Sequence, residues 1–466
     1  MTTSTLTTVD PTTLEPIGDY PTHTPAQIDE IVEQAADAAA TWRHEPFAAR
    51  TAVLHRIADL IEERSAELGA LITAEMGKPL AEAAAEVAKC AWNCRHVADH
   101  GPTALAATPL SGPDDAAVRI EYEPLGVILA IMPWNFPLWQ LFRFAAPAIM
   151  AGNTVILKHS PNVTGCALAI ESLFAEGRGD IRLLSTILVE ESVVGAVSDR
   201  VIADARVAAV TVTGSTRAGA AVASSAGRAL KKSVLELGGS DPFIVLDDAD
   251  LGTAANHAVR SRFMCAGQTC IAAKRIILAE SVIADFTHEL VSRVDRITVG
   301  DPTDPATDMG PLARPDLVDQ IQRQVDTSVA MGATVLAGGH RLDRTGNFYA
   351  PTVLADVTPD MPVYNEETFG PVAVLVSVSD DDSAVETAND TEYGLAASVW
   401  SRDIDRAVGV GRRIDCGAFY VNSFVASDPR VPFGGVKRSG FGRELGDLGM
   451  REFTNARTVW VSGTTA

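Results

Sequence analysis

Two cysteines lie close together in the segment Phe263-Met264-Cys265-Ala266-Gly267-Gln268-Thr269-Cys270. A cysteine thiolate is a strong nucleophile near neutral pH, so Cys270, which follows Gly-Gln-Thr between two apolar stretches, is a candidate for covalent catalysis. A cysteine in such a setting is also commonly a packed core residue without reactivity. The segment by itself leaves both interpretations open, and the rest of the chain has to decide between them.

A glutamate stands inside the apolar run Val234-Leu235-Glu236-Leu237-Gly238-Gly239. Burial disfavours the charged carboxylate, which raises its pKa and makes it a better base near neutral pH. The alternative is a salt-bridged glutamate, or one at an exposed strand edge. The two glycines permit close approach of another backbone, and they favour the first interpretation, in which Glu236 is a general base.

An asparagine lies between two prolines in the segment Met132-Pro133-Trp134-Asn135-Phe136-Pro137. The prolines restrict the backbone, so the Asn135 amide can be held as an oriented hydrogen-bond donor. Such a donor stabilises the oxyanion that forms when a nucleophile attacks a carbonyl group. An Asx turn between two elements is the competing interpretation.

The overall charge sets a condition on any substrate. The chain has 38 basic and 60 acidic residues, a net charge of −22. This charge argues against nucleic acid or an anionic membrane as a partner. An anionic substrate would need a local cationic site to offset the unfavourable field.

The ends and the cysteines of the chain indicate a cytoplasmic protein. The N-terminus has no secretory signal, and the longest apolar stretch is far too short to span a bilayer. The six cysteines form no paired framework, which fits reduced thiols. Cys90 and Cys94 lie four residues apart in an Ala-rich helical pattern near His96, and we expect them to be packing residues; no metal site is expected.

The hydrophobic pattern divides the 466 residues into two kinds of segment. Residues before about Tyr20 predict an extended arm, after which Thr24-Pro25-Ala26-Gln27 carries a capping box and the pattern is helical to about His100. From Val118 onward, strand-like runs at 118–123, 127–132, 155–157, 207–213 and 243–246 alternate with helical stretches. That alternation indicates parallel sheets in an α/β architecture, and the length indicates two to four domains.

Taken together, the three segments resemble the aldehyde dehydrogenase superfamily from roughly Thr24 to the C-terminus. Further motifs that match the family in order are Gly152-Asn153-Thr154-Val155-Ile156-Leu157-Lys158, Thr213-Gly214-Ser215, Glu366-Glu367-Thr368-Phe369-Gly370-Pro371, Asn389-Asp390-Thr391-Glu392-Tyr393-Gly394-Leu395 and Pro432-Phe433-Gly434-Gly435-Val436-Lys437. The resemblance implies a Rossmann-like cofactor-binding domain (1–111 and 126–236), an α/β catalytic domain (237–447) and a small oligomerisation element (112–125 and 448–466).

The resemblance implies NAD(P)-dependent oxidation of an aldehyde to a carboxylic acid. Cys270 would attack the aldehyde, and Asn135 with the Cys270 backbone N–H would stabilise the oxyanion of the thiohemiacetal. Loss of hydride would leave a thioester, and Glu236 would activate the water that hydrolyses it.

The cofactor site implied by the resemblance has no G-x-G-x-x-G motif. Gly214, Ser215 and the following helix N-terminus would receive the pyrophosphate. Glu367 would hold the nicotinamide ribose, with Phe369 and Trp134 beside the ring.

One position departs from the pattern of many NAD-preferring relatives, which place a glutamate where Pro161 stands. That glutamate binds the adenosine ribose and would repel a 2′-phosphate. Its absence, with Lys158, Ser160 and the further candidate His159 as donors, predicts that NADP is accepted and preferred over NAD.

An arginine, Arg143, interrupts an apolar pattern six residues after Pro137. Arg143 is either a structural arginine or, as in the succinate-semialdehyde dehydrogenases that the sequence resembles, a ligand of the substrate's distal carboxylate. Ser427 matches a serine of that subfamily's site. The subfamily's second arginine falls on Met264, which leaves Arg262 and Arg430 as candidates.

Several alternatives stay open at this point. A CoA-acylating relative would have little use for Glu236 as a hydrolytic base. A binding protein that reuses the fold would be expected to lack Asn135, Glu236, Cys270 or Glu367, and all four are present. A broad-specificity dehydrogenase of aliphatic aldehydes or other semialdehydes is the nearest competing function.

Two further expectations concern the assembly and the second cysteine. The C-terminal segment Val459-Trp460-Val461 predicts a strand that needs a partner subunit, hence a homodimer or homotetramer. Cys265 either forms a reversible disulfide with Cys270 or is simply packed.

Overall fold

The computed structural model of the protein describes residues 4–112 and 116–462. Its strands are β1 Thr5–Val9, β2 Pro16–Pro21, β3 Thr108–Ser111, β4 Ala117–Pro124, β5 Val127–Met132, β6 Thr154–His159, β7 Leu184–Thr186, β8 Val207–Thr213, β9 Lys232–Glu236, β10 Asp241–Val245, β11 Ala273–Ala279, β12 Thr334–Ala337, β13 Thr352–Ala355, β14 Val372–Val378, β15 Tyr393–Gly394, β16 Ala396–Trp400, β17 Ala418–Val421, β18 Val436–Lys437, β19 Gly440–Phe441 and β20 Thr454–Val461.

The α-helices α1 to α4 follow one another without an intervening strand, and from β5 onward helices largely alternate with strands, as the sequence predicts. They are α1 Pro25–Trp42, α2 Phe47–Glu63, α3 Ser65–Met76, α4 Leu80–Ala104, α5 Trp139–Ala151, α6 Thr164–Gly177, α7 Val194–Ala203, α8 Thr216–Arg228, α9 Leu251–Phe263, α10 Ile283–Val294, α11 Pro315–Ala330, α12 Pro362–Asn365, α13 Asp381–Asn389, α14 Ile404–Gly411 and α15 Gly446–Glu452. No helix in these described ranges combines the length and apolar character that crossing a bilayer requires.

The first large sheet has the order β19-β9-β8-β5-β6-β7, and its strands are parallel except for β19. Because the carboxyl ends of parallel strands meet at one edge, the residues that follow β5, β6, β8 and β9 converge there. Asn135 and Ser215 lie in segments that follow these strands, whereas Lys158 and Glu236 lie near the ends of β6 and β9 themselves.

The second large sheet has the order β12-β13-β14-β11-β10-β16-β17, and only β12 runs antiparallel to its neighbour. Strands such as β10 and β11 are buried along nearly their whole length, as expected for a parallel sheet covered on both faces. Cys270 lies just before β11, so this sheet positions the candidate nucleophile.

A third, three-stranded sheet joins β20, β4 and β3 in antiparallel order. The connection between β3 and β4 includes residues 113–115, which lie outside the described residues, as do 463–466 at the C-terminus. Strand β20 has β4 on one side, and its other edge has no strand partner in the described part of the chain.

The N-terminal segment differs from the extended arm predicted from its sequence. Strands β1 and β2 form an antiparallel hairpin, in which Leu6 and Thr8 are buried while Thr5, Thr7 and Val9 are exposed. This alternation of burial along β1 is typical of a strand with one face against the protein. The hairpin could not be predicted from the Thr- and Pro-rich composition of this segment.

The first long helix begins where the sequence predicts. Thr24 is the N-cap of α1: its side chain accepts a hydrogen bond from the Gln27 backbone, and the Gln27 side chain accepts one from the Thr24 N–H at 2.8 Å. This reciprocal capping box is determined by four consecutive residues, which is why it could be predicted without tertiary information.

Candidate active site

The nucleophile segment is sharply bent before Cys270. Cys265 and Ala266 both have positive φ values, 54° and 51°, in a short 3₁₀ turn at Met264–Gly267. Non-glycine residues rarely adopt this conformation, so other groups must hold it. The Glu82 carboxylate accepts a hydrogen bond from the Cys265 N–H at 2.9 Å, and the Gln268 side chain donates one to the Cys265 carbonyl.

The backbone of Cys270 is fixed by a lysine that the sequence analysis did not identify. The buried Lys274 ammonium donates to the carbonyl oxygens of Thr269, at 3.1 Å, and Cys270, at 2.7 Å. Burial raises the pKa of the half-buried Cys270 thiol to about 12, although Arg143 and Lys274 act in the opposite direction. The resting site therefore holds a thiol that must lose its proton before it attacks.

The glycines after Glu236 face the nucleophile. A Cβ atom on Gly239 would lie 2.6 Å from the Cys270 carbonyl oxygen, and one on Gly238 would overlap the Glu367 carboxylate. No side chain fits in either place, which is the close approach that the double glycine predicts. It brings the end of β9, the Cys270 turn and Glu367 together.

Glu236 ends β9 and is 2% exposed. Burial raises the pKa of its carboxyl group well above the ordinary value, and repulsion by Glu444 adds to this; Arg143 lowers it. A carboxylate with a raised pKa is a better proton acceptor near neutral pH. The surroundings of Glu236 thus suit a general base.

Arg143, on α5, lies between two buried carboxylates. Its guanidinium forms an ion pair with Glu444 and comes within 4.0 Å of the Glu236 carboxylate. It also donates to Thr213 at 3.2 Å and lies over the Phe433 ring at 4.8 Å. The positive charge of Arg143 is therefore largely balanced by these two carboxylates of the protein itself.

Asn135 is buried beside the nucleophile segment. Its amide donates to the Gln268 carbonyl at 2.9 Å, which leaves one amide hydrogen for an oxyanion. The loop is fixed by Glu86, which accepts from the N–H groups of Leu138 and Trp139 at 2.9 and 3.0 Å and forms a buried ion pair with Lys78. The oxyanion role of Asn135 stays a prediction that this geometry supports.

The turn between β8 and α8 leaves free space beside the N-terminus of α8. Ser215 is the N-cap of α8 and accepts from the Ala218 N–H at 3.3 Å. A Cβ atom on Gly214 would have no neighbour within 4 Å. The exposed helix N-terminus and this open space fit a pyrophosphate group.

Lys158, near the end of β6, is a buried cation without an ion pair among the described residues. Burial lowers the pKa of its amine to about 8. Ser160, two residues on, donates its hydroxyl to the Asn162 side chain at 2.7 Å. A phosphate placed here would supply the missing counter-charge to Lys158.

The structure does not bring His159, the further phosphate candidate, to this cleft. Its imidazole is buried and lies 2.8 Å from the Pro137 carbonyl oxygen. Burial lowers the imidazole pKa to about 4, so the ring is neutral. His159 alternates with its neighbours along β6 and faces the interior of the protein.

Glu367 lies beside Gly238 and Gly239, and Phe369 follows it two residues later. The Glu367 carboxylate accepts from the Gly239 N–H at 3.0 Å, and the Phe369 ring packs edge-on against Trp134 with ring centroids 5.7 Å apart. Arg262 donates to the backbone carbonyl oxygens of Thr368 and Gly370. Arg262 therefore holds this segment in place and is not at the substrate.

A cavity of about 680 Å³ leads to Cys270. Its walls include aromatic rings and several cationic or hydroxyl side chains, among them Phe136, Trp139, Phe424, Lys89, Arg143, Arg260 and Ser427. Arg430 does not line it: its exposed guanidinium pairs with Asp428 and lies over the Trp92 ring. Of the three predicted substrate residues, the structure brings Arg143 and Ser427 to the cavity.

The remaining cysteines are buried or partly buried free thiols. Within the described ranges, no three His, Cys, Asp or Glu side chains are grouped to hold a metal ion. Cys90 and Cys94 are fully buried free thiols. Cys265 is also buried, with a thiol pKa raised to about 12 by burial. A reversible disulfide with Cys270 stays one of two alternatives, the other being that Cys265 is simply packed.

A largely parallel sheet whose strand ends face a half-buried cysteine and a buried glutamate is the arrangement of a cofactor-dependent oxidoreductase, with Cys270 as the candidate nucleophile. The chain matches the aldehyde dehydrogenase family over residues 1–459. It is 46% identical over 457 residues to a probable NADP(+)-dependent succinate-semialdehyde dehydrogenase of Synechocystis sp., covering 98% of this chain and 100% of that protein. This protein belongs to the aldehyde dehydrogenase family.

Two other relatives agree with this assignment. An Escherichia coli succinate semialdehyde dehydrogenase that uses NAD(P)+ is 46% identical over 452 residues, 97% of either chain. The crystal structure of a succinic semialdehyde dehydrogenase from Streptococcus pyogenes, in complex with NADP+, superposes with a TM-score of 0.94 at 35% identity, covering 98% of this chain and 99% of that chain.

Proposed function

We propose that this protein oxidises succinate semialdehyde to succinate with NADP. The observation that carries the proposal is the cavity at Cys270, which combines aromatic walls with the Lys89 ammonium and the Ser427 hydroxyl. An aldehyde with a carboxylate at its far end has a use for such groups, whereas an apolar aldehyde does not. Relatives at 46% identity carry that activity in their names.

The cofactor cleft suits NADP. Gly214 and Ser215 leave the N-terminus of α8 open for the pyrophosphate, and the Lys158 ammonium lacks a carboxylate partner among the described residues. Pro161 places no acid beside it. When bound, the nicotinamide supplies the hydride acceptor of the oxidation, and Trp134, Phe369 and Glu367 are the residues that would hold it.

The chain's own residues account for the other steps. The Cys270 sulfur bonds to the aldehyde carbon, and Asn135 with the Cys270 N–H stabilises the resulting oxyanion. Once the carbon is oxidised, a thioester joins Cys270 to the acyl group. Glu236 then removes a proton from water, the water oxygen bonds to the acyl carbon, and the thiol leaves as the carboxylic acid forms.

The substrate proposal is tested by comparing kcat/KM for succinate semialdehyde and butanal with NADP. A charge-assisted hydrogen bond contributes about 1.5–3 kcal/mol, which corresponds to on the order of 10- to 100-fold preference for the charged aldehyde. Equal efficiency would remove the carboxylate pocket and leave a broad-specificity aldehyde dehydrogenase.

The cofactor proposal is tested by kcat/KM for NADP and NAD at saturating aldehyde. We expect NADP to be preferred, and Lys158→Met to lower efficiency with NADP by about 10-fold or more while changing that with NAD little. A tenfold preference of the native protein for NAD would contradict the proposal.

We also place the protein in the cytoplasm. All six cysteines are free thiols, which suits a reducing compartment. Fractionation of cells that produce the protein checks this; recovery outside the cytoplasmic fraction would contradict it.

A further inference from the structure

Lys89, on helix α4, extends into the cavity that leads to Cys270. Its ammonium donates to the Ser427 hydroxyl oxygen at 2.8 Å and lies 4.4 Å from the centroid of the Trp139 ring. Ser427 is 338 residues away along the chain. The contact therefore joins the N-terminal helices to the loop that closes the other side of the cavity.

The Lys89 ammonium has no ion-pair partner in the described part of the chain. The nearby acids are already occupied: Glu86 binds Lys78 and the start of α5, and Asp428 binds Arg430. A largely buried cation is normally paired, because removing it from water is costly. The cavity thus contains a positive charge that the protein itself does not neutralise.

The Ser427 hydroxyl can offer its hydrogen to a ligand, because other groups already donate to its oxygen. Its oxygen accepts hydrogen bonds from Lys89 and from the Trp139 indole N–H, the latter at 3.1 Å. A hydroxyl oxygen has two acceptor sites and one hydrogen to donate. With both acceptor sites used, Lys89 and Ser427 together present only donors to the cavity, which is the complement of a carboxylate.

Arg143 differs from Lys89 in this respect. Its guanidinium is held by Glu444 and lies within 4.0 Å of Glu236. It therefore balances the charges around the candidate base. Arg260 and Arg296 also line the cavity without an ion pair among the described residues, but Arg260 lies over the Phe424 ring and Arg296 donates to Ser292. Lys89 is the cation of this cavity that contacts the Ser427 hydroxyl.

We propose that Lys89, together with Ser427, binds the distal carboxylate of the substrate and determines the preference for a semialdehyde acid. This inference rests on the proposed function and assigns its charge recognition to a residue of α4. The substrate would lie in the cavity with its aldehyde group at Cys270 and its carboxylate at Lys89.

The first experiment measures kcat and KM for succinate semialdehyde and butanal, with NADP, in four proteins. These are the native protein, Lys89→Met, Lys89→Arg and the control Arg95→Met, which removes a cation of the same helix that pairs with Asp59 and Glu62. We expect Lys89→Met to raise KM for succinate semialdehyde about 10- to 100-fold. Its kcat and its butanal kinetics should stay near native, as should all values for Arg95→Met, and Lys89→Arg should recover most of the affinity.

A second measurement uses pH. Burial, the largest effect, and Arg143 lower the pKa of the Lys89 amine to about 8, while Cys90, Asp428 and Glu86 act in the opposite direction. The other charged groups that line the cavity are Glu82, Arg260, Arg293, Arg296 and Asp308. The ratio of kcat/KM for succinate semialdehyde to that for butanal cancels groups common to both reactions. We expect the ratio to fall about tenfold per pH unit above pH 8 in the native protein and to stay level in Lys89→Arg.

The outcomes separate the two proposals. A native protein without preference for succinate semialdehyde would overturn the proposed function, and the role of Lys89 with it. A native preference that survives in Lys89→Met, or a level pH ratio, would overturn the role of Lys89 alone. An equal loss with both aldehydes would also overturn it, because Lys89 would then serve the structure rather than the carboxylate.

Discussion

The surroundings of the Cys270 thiol oppose its ionisation. Burial raises its pKa to about 12, so the thiolate fraction should grow with pH over the whole neutral range. We predict that iodoacetamide modifies Cys270, in protein without cofactor, about tenfold faster for each pH unit between pH 7 and 9. Mass spectrometry follows the reaction, with Cys270→Ala as the control for other thiols; a plateau below pH 9 would contradict the prediction.

Substitution of Glu236 should separate oxidation of the aldehyde from hydrolysis of the thioester. Glu236→Gln keeps the shape that packs against Gly434 but cannot accept a proton from water. We expect steady-state turnover to fall about 10²–10⁴-fold, while rapid mixing still shows a burst of about one NADPH per subunit. Loss of the burst together with turnover would show that Glu236 is also needed for attack by Cys270.

The site shows which residues sequence reasoning can find. Cys270, Glu236 and Asn135 stand in local patterns of apolar residues, glycines and prolines that mark them as unusual. Lys89 and Lys274 lack such a signal. Lys89 is one charge in an Ala-rich helical pattern, where a solvated lysine is the ordinary expectation, and its importance comes from Ser427, 338 residues away.

At the scale of elements, strand β6 ends in a buried histidine that links pH to stability. The folded protein holds the pKa of His159 at about 4, below the value of 6.5 expected on unfolding. The neutral form is therefore favoured by folding; its stabilisation is complete above pH 6.5 and is lost as pH falls toward 4. By linkage the loss between pH 7 and 5 is about 2 kcal/mol.

Urea unfolding at pH 7 and pH 5 measures this effect. We predict that His159→Gln, which cannot gain a proton, loses about 2 kcal/mol less than the native protein over that interval. An identical pH dependence in both proteins would show that His159 is not the group responsible. The comparison is needed because raised carboxyl pKa values, such as that of Glu75, act in the opposite direction.

Strands and helices could be predicted from the sequence where a short segment determines the structure. Strand β5 coincides with the predicted run 127–132, β8 with 207–213, and α1 starts at its capping box. The hairpin of β1 and β2 was missed, because its burial of Leu6 and Thr8 depends on contacts with α3 and α6 rather than on composition. The inward orientation of His159 likewise depends on the pairing of β6 within its sheet.

At the scale of the whole molecule, strand β20 remains a reason to expect assembly. It pairs with β4 on one edge, and it carries exposed Trp460 and Val461. Long exposed strand edges tend to pair with another chain. We predict a dimer or tetramer by light scattering at micromolar concentration, weakened by Trp460→Lys; a native monomer would contradict the prediction.

The pairing of β19 with β9 has a consequence for synthesis of the chain. Glu236 lies in β9, but the strand that covers it, Gly440–Phe441, follows more than 200 residues later, and Glu444 comes later still. A ribosome has therefore added more than 200 residues after Glu236 before that side chain can be enclosed. Cys270 emerges much earlier, so during translation the thiol is present for a long interval before Glu236 is enclosed. Enclosure of Glu236 thus depends on residues that are translated long after it.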